Sequence, residues 1–194
     1  MKQLTVIVLL FTCLSISAQP KLPKLKAAAS IKGDIEKVAQ DYYNDFHNIA
    51  GDTLLRSQNE IEFTSKILPA GAIESRITKF IEPNTFIWQA TMYTTEEFTE
   101  AVAKYKQYYR QLNGTNLKID LSGSYKLTGE YDMPDEGRGF ASSYLKFDGT
   151  SDDLKQFKIE VALNYSFPEW SVRILMYEKE SDEEIRPTIA TKIR

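Results

Sequence analysis

The 194-residue chain contains one cysteine and one histidine, and these scarcities exclude more chemistry than any motif supplies. A lone cysteine cannot close an intrachain disulfide, so packing must hold the fold. Thiolate and histidine-rich metal centres draw on several such ligands and are excluded as well; no cofactor or metal is expected. Catalysis of the Ser-His-Asp kind would have to use His47, oriented by Asp41, Asp45 or Asp52, and no Gly-x-Ser-x-Gly elbow is present. His47 lies off the apolar stripe near the end of a helical stretch, where a solvated imidazole simply complements the helix dipole. A strong charge of either sign is also missing, with 24 basic against 27 acidic residues and a net charge of −3. Such a surface exerts no long-range pull on phosphate backbones, so nucleic acid is not expected as a partner.

What is present begins at the N-terminus. Lys2 precedes an apolar run from Leu4 to Leu14, followed by Ser15-Ile16-Ser17-Ala18 and then Gln19-Pro20. A basic start, a short apolar core and a small residue at the cut make a secretory signal peptide. The run is about half of what a transmembrane helix needs, so no retained membrane anchor is expected. Cys13 is preceded by Thr12 rather than a small lipobox residue, so it is read as part of the discarded leader. The Ala-Gln ending resembles leaders of exported proteins from Bacteroidota-type bacteria. The localisation expected is therefore periplasmic or extracellular.

Residues 19–30 carry two prolines and three lysines without periodicity and read as a flexible arm. Residues 31–178 read as a single α+β domain, with possible halves at 31–93 and 94–178, and 179–194 as a loosely ordered tail. Ile35, Val38, Ala39, Tyr42, Phe46 and Ile49 form one helical stripe, with Asp34 able to cap its start and Gly51 placed to end it. The period then changes to two. Ile61, Phe63 and Ile67 predict one strand, Ile73, Ser75 and Ile77 a second. Phe86 to Met92 make a third, with Ile87, Gln89, Thr91 and Tyr93 on its other face. Thr94-Thr95-Glu96-Glu97 has the form of a capping box. The helix behind it runs through Phe98, Ala101, Val102, Tyr105, Tyr108, Tyr109 and Leu112 until Asn113-Gly114. Leu117 to Tyr131 then alternate in one register across Gly123. Strands at Phe140–Phe147, Phe157–Tyr165 and Trp170–Tyr177 complete an order α-βββ-α-ββββ on a mainly antiparallel sheet. Each half has a tyrosine pair on its helix and a last strand running from tryptophan to Met-Tyr, which hints at a duplicated helix-plus-meander unit. In outline this resembles PepSY-like and lactamase-inhibitor-like modules of bacterial envelopes. None of their sequence motifs is present, so the likeness is one of shape and implies no function.

The residues able to carry chemistry are few. Asp148 to Asp153 begins like a calcium loop, but Asp153 stands where glycine is required and Ile159 where a bidentate glutamate belongs. Asp132, Asp135 and Glu136, or Glu60 and Glu62, offer carboxylates of the kind glycoside hydrolysis uses. Lys104 to Arg110 interleaves aromatics with cations, an arrangement suited to stacking on sugars or bases, although the helical stripe accounts for most of it. Tyr108 lies at the edge of that stripe. The loop Pro134 to Gly139 offers flexible backbone, two acids and an arginine at a strand end, and it lacks the lysine of a phosphate loop. Asp52-Thr53-Leu54 resembles the sites at which Bacteroidota attach O-glycans. The expected binding residues are thus Tyr108, Asp135, Glu136 and Arg138, taken together with the sheet face opposite the helices. The role expected is a non-enzymatic binding or protein-interaction module of the envelope, with a protein or glycan partner. The alternatives are a small acid-dependent hydrolase acting on glycans and a structural protein of the envelope. Mass spectrometry of the exported protein is expected to give a chain beginning at Gln19; a chain retaining Met1 would refute the leader.

Overall fold

Two antiparallel meanders, each led by a helix, meet along their last strands. The computed structural model describes residues 30–119, 123–148 and 152–178. The residues read as leader and arm before Ser30, residues 120–122 within the expected Leu117–Tyr131 strand, residues 149–151 and the expected tail 179–194 lie outside them. The first half comprises α1 (Lys32–Gln40), β1 (Ala50–Arg56), β2 (Glu60–Ser65), β3 (Glu74–Phe80) and β4 (Thr85–Thr95). The second comprises α2 (Phe98–Leu112), β5 (Asn116–Lys118), β6 (Ser124–Gly129), β7 (Phe140–Phe147), a single turn α3 (Asp152–Lys155), β8 (Phe157–Ser166) and β9 (Glu169–Glu178). The sheet has nine strands in the order β1-β2-β3-β4-β9-β8-β7-β6-β5. All pairings are antiparallel, and β4 lies against β9 from Ile87↔Tyr177 to Thr95↔Trp170.

The alternation in β4, β8 and β9 assigns the two faces. Trp88, Ala90 and Met92 of β4, Ile159, Val161 and Leu163 of β8, and Val172, Ile174 and Met176 of β9 point to one side. There they join Ile35 and Val38 of α1 and Ala101, Tyr105 and Leu112 of α2 in a single core. Trp88 is fully buried and donates its indole N–H to Ser65 Oγ at 3.0 Å, so its one polar atom is satisfied. α2 is the longer helix, and its stripe Ala101, Tyr105, Tyr108 and Leu112 is buried. That three- and four-residue spacing is what holds it on the sheet.

Several sequence expectations change. Two further strands exist, β1 and β5, so each half has one more than its pattern suggests. The first helix ends at Gln40 instead of running to Ile49, because Asp45 and Phe46 take left-handed backbone angles, φ 51° and 58°. Gly51 belongs to β1, where a Cβ would collide with Thr64 Oγ1; it permits the close approach of β2. Leu117 and Tyr125 pair across a hairpin and do not share one continuous strand. A bulge at Met92 turns Tyr93 to the helix side, where its hydroxyl donates to Glu100 Oε2 at 3.0 Å. Neither helix start uses its expected cap. Asp34 accepts the backbone N–H of Ala70, while Thr95 Oγ1 accepts that of Glu97 and donates to Glu100.

The turn out of α1 hangs on Asp41, a buried carboxylate. It accepts the backbone N–H groups of Asn48 and Ile49 at 3.0 and 3.2 Å, and the side-chain amides of Asn44 and Asn48 at 3.1 and 2.6 Å. These bonds hold the two left-handed residues and drive Phe46 into the core. Removing the acceptor strands buried donors, so Asp41→Ala is expected to lower the unfolding free energy by about 2–4 kcal/mol. Urea denaturation checks this, through a lower midpoint with an unchanged slope.

Candidate functional site

The best-built surface feature lies at one end of β7, β8 and β9. The connection from β6 to β7 is tied down at almost every step. Asp132 accepts a forked pair of hydrogen bonds from Arg138, Nη1 and Nη2 each at 3.0 Å, and a third from the Ser142 backbone N–H at 3.0 Å. Its own backbone N–H donates to Ser143 Oγ, which shares a 2.6 Å hydrogen bond with the Tyr105 hydroxyl of α2. Tyr131 is wedged against Tyr105 and Tyr109, ring centroids 5.4 and 5.1 Å away. Asp135 Oδ1 accepts the Gly137 N–H at 2.8 Å, closing a short 3₁₀ turn over Glu136–Arg138. Gly139 then takes φ +70°, which favours glycine, and its carbonyl accepts the Tyr165 N–H from β8 at 2.8 Å. The loop expected to be flexible is therefore pinned to both the helix and the neighbouring strand.

What this frame presents is apolar. Met133 is 75% exposed, Phe140 52%, Tyr165 44% and Phe167, at the tip of the β8–β9 hairpin, 87%. Phe140 is directly opposite Asn164, and Phe167 follows Tyr165 by two residues. The guanidinium of Arg138 lies over the Phe140 ring at 5.0 Å. The Tyr165 ring packs on Trp170 at 4.9 Å, and Trp170 in turn on Phe98 of α2 at 4.8 Å. Around these side chains Asp135, Glu136 and Glu169 are exposed, and Asp132 neutralises Arg138. The apex thus exposes apolar side chains on both sides of the sheet end, Phe140 on the face away from the helices and Tyr165 on the helix face, with acidic residues alongside.

The expected binding residues divide. Asp135, Glu136 and Arg138 belong to this apex. Tyr108 does not, because it lies in the middle of the buried stripe of α2, where desolvation raises its hydroxyl pKa. Its neighbour Tyr109 sits one position round the helix, half-buried, and donates to the Gly129 carbonyl at 2.7 Å. The sheet face away from the helices carries none of the four. Met133, Phe140, Tyr165 and Phe167 were not singled out from sequence. The available signal was a phenylalanine inside a Ser-Phe-Pro-Glu turn, a polar hairpin tip where an aromatic is out of place.

Other sequence candidates find ordinary uses. His47 is exposed; its Nδ1 lies 2.7 Å from the Asn44 carbonyl and its ring packs by Phe86 at 5.2 Å. Its possible orienting partner Asp41 is occupied by the turn described above. Glu62 pairs with Arg76 at 3.5 Å. Lys104 Nζ lies 5.2 Å over the Tyr93 ring, so the basic-aromatic stretch of α2 partly ties the helix to β4. Asp148 accepts the Thr128 hydroxyl at 2.6 Å, and residues 149–151 of the calcium-like turn lie outside the described residues. Among the described residues no group of three or more potential metal ligands is gathered, and no helix is long and apolar enough to cross a membrane. Asp52-Thr53-Leu54 stands exposed on the edge strand β1.

Burial works against ionisation of Asp132, but the Arg138 hydrogen bonds, the Ser142 N–H and the Arg138 charge outweigh it and lower the pKa. A carboxylate with a depressed folded pKa contributes stability above its unfolded value, about 3.9. That contribution is lost as pH falls through the lower folded value. Protonation is expected to release Arg138 from Phe140, so amide resonances of residues 133–140 should shift below that pH. In Arg138→Gln the shift should occur at higher pH, nearer the ordinary aspartate value; an unchanged titration would show that Arg138 does not hold the carboxylate.

No family model, curated protein or solved structure matches the chain, and what the apex can do is argued from its own side chains.

Proposed function

We propose that the chain is an exported, non-enzymatic interaction module of the bacterial cell envelope, and that the apex of β7, β8 and β9 is its docking element. The carrying observation is four large exposed apolar side chains at one end of the sheet, Met133 and Phe140 on the pinned β6–β7 connection and the strand it enters, Tyr165 and Phe167 at the β8–β9 hairpin. An isolated exposed apolar residue is unremarkable on any surface, whereas a cluster with a polar rim marks a contact site. Rigid aromatic side chains lose little entropy on binding, and a central apolar anchor ringed by polar groups is the usual anatomy of an interface. The occupant that fits is a protein with an apolar pocket and a basic surround, complementary to Asp135, Glu136 and Glu169. The carboxylates considered for hydrolysis support the same reading, since Asp132 and Asp135 are spent on holding the loop.

The test is site-specific photo-crosslinking in intact cells, with the probe placed at Phe167, at Met133, and at Leu55 on the far edge strand as control. A discrete adduct from Phe167 and Met133, absent from Leu55, is expected. The Met133 adduct should be lost in Asp132→Ala, which frees the β6–β7 loop, at unchanged expression. No apex adduct, or an identical pattern from Leu55, would overturn the reading.

A further inference from the structure

Sulfur is scarce in this chain, and its few atoms divide sharply by exposure. Met1 and Cys13 fall in the segment read as leader. Met92 of β4 and Met176 of β9 belong to the core and are 1% and 0% exposed. Met133 is 75% exposed. Among the described residues it is therefore the one sulfur-bearing side chain that stands open to solvent, and it stands on the apex. The two indoles, which oxidants also attack, are buried at Trp88 and Trp170. The loop keeps Met133 where it is. Tyr131, two residues earlier, is wedged against Tyr105 and Tyr109. Asp132 is fixed by Arg138, Ser142 and Ser143. Pro134 follows and restricts Met133 to extended backbone. Held on both sides, the thioether stays in solvent until a partner covers it.

We infer that Met133 is an oxidation site through which hydrogen peroxide weakens docking at the apex, an inference that rests on the docking reading above. The thioether lone pair attacks one oxygen of the peroxide, and the O–O bond breaks as the S–O bond forms. Sulfur gives up two electrons and the peroxide takes them. The departing hydroxide collects the proton of the transferred hydroxyl and leaves as water, and the product is methionine sulfoxide. The change replaces a flexible apolar side chain by a dipolar one whose oxygen needs a hydrogen-bond donor. A pocket shaped for the thioether leaves that oxygen unpaired, and docking weakens on the order of tenfold. Burial spares Met92 and Met176, so the core keeps its packing while the contact surface changes. The switch is reversible, because methionine sulfoxide reductases return both epimers to the thioether.

Two measurements decide this. In the purified protein treated with hydrogen peroxide, peptide mapping by mass spectrometry is expected to find an added oxygen on Met133. It should form there more than about tenfold faster than on Met92 or Met176; comparable rates at the three would overturn the inference. The second uses intact cells with the photo-crosslinking probe at Phe167. Peroxide is expected to lower the apex adduct by at least about fivefold in the chain carrying Met133, and to leave it unchanged in Met133→Leu, which has no sulfur at that position. The ratio of treated to untreated adduct is read within each chain, so a difference in basal docking does not enter. An equal drop in both chains would place the effect in the partner and overturn the inference, as would an adduct indifferent to peroxide. An adduct missing even before treatment would sink the docking reading, and this inference with it.

Discussion

The structure depends on the pairing of β4 with β9. Every other strand pairs with its neighbour in sequence, so each half is a local meander that could form on its own hydrogen bonds. Only the ladder from Ile87↔Tyr177 to Thr95↔Trp170 makes them one sheet, and it also gives α2 its bed. That helix contacts β4, β8 and β9 together, so it lies across the seam. A substitution that weakened the seam would loosen the helix, and with it Tyr105, whose hydroxyl anchors the apex loop through Ser143.

The apex shows how an outward-facing site can be specified from the inside. Met133 and Phe140 are placed by inward-directed polar bonds of the β6–β7 connection, of which the Asp132–Arg138 fork is the centre. Such a surface pair adds little to global stability by itself. Its value here is geometric, since it fixes the loop and places a cation over the Phe140 ring. The same economy is visible at Asp41, where one carboxylate settles a turn that the local sequence would not adopt unaided.

Where a segment has one wet and one dry face, its sequence is legible, and so β8, β9 and α2 could be read directly. Where it has not, the pattern fails. β1 is an edge strand whose residues from Asp52 to Arg56 are all exposed, so no alternation marks it. The β5–β6 hairpin reads as one strand because Leu117 and Tyr125 fall in a common register whether or not the chain reverses between Lys118 and Ser124. Tyr93 was placed on the wrong face because a bulge adds a residue without any mark in composition. At the site, the loop 134–139 was legible as glycine-bearing and charged. Its rigidity was not, because that comes from Asp132, Ser142 and Ser143, which are ordinary polar residues until the strands bring them together.

The seam has a consequence for the newly made chain. β4 is complete by residue 95, whereas its partner does not begin until residue 169. During synthesis, the long strand carrying Trp88 and Met92 therefore waits with one edge open while more than seventy further residues are made. Closure of so distant a contact is slow, and an unpaired apolar edge invites adhesion to other chains. Until its final strand emerges, a polypeptide built this way keeps that edge of β4 open to pairing with whatever strand reaches it first.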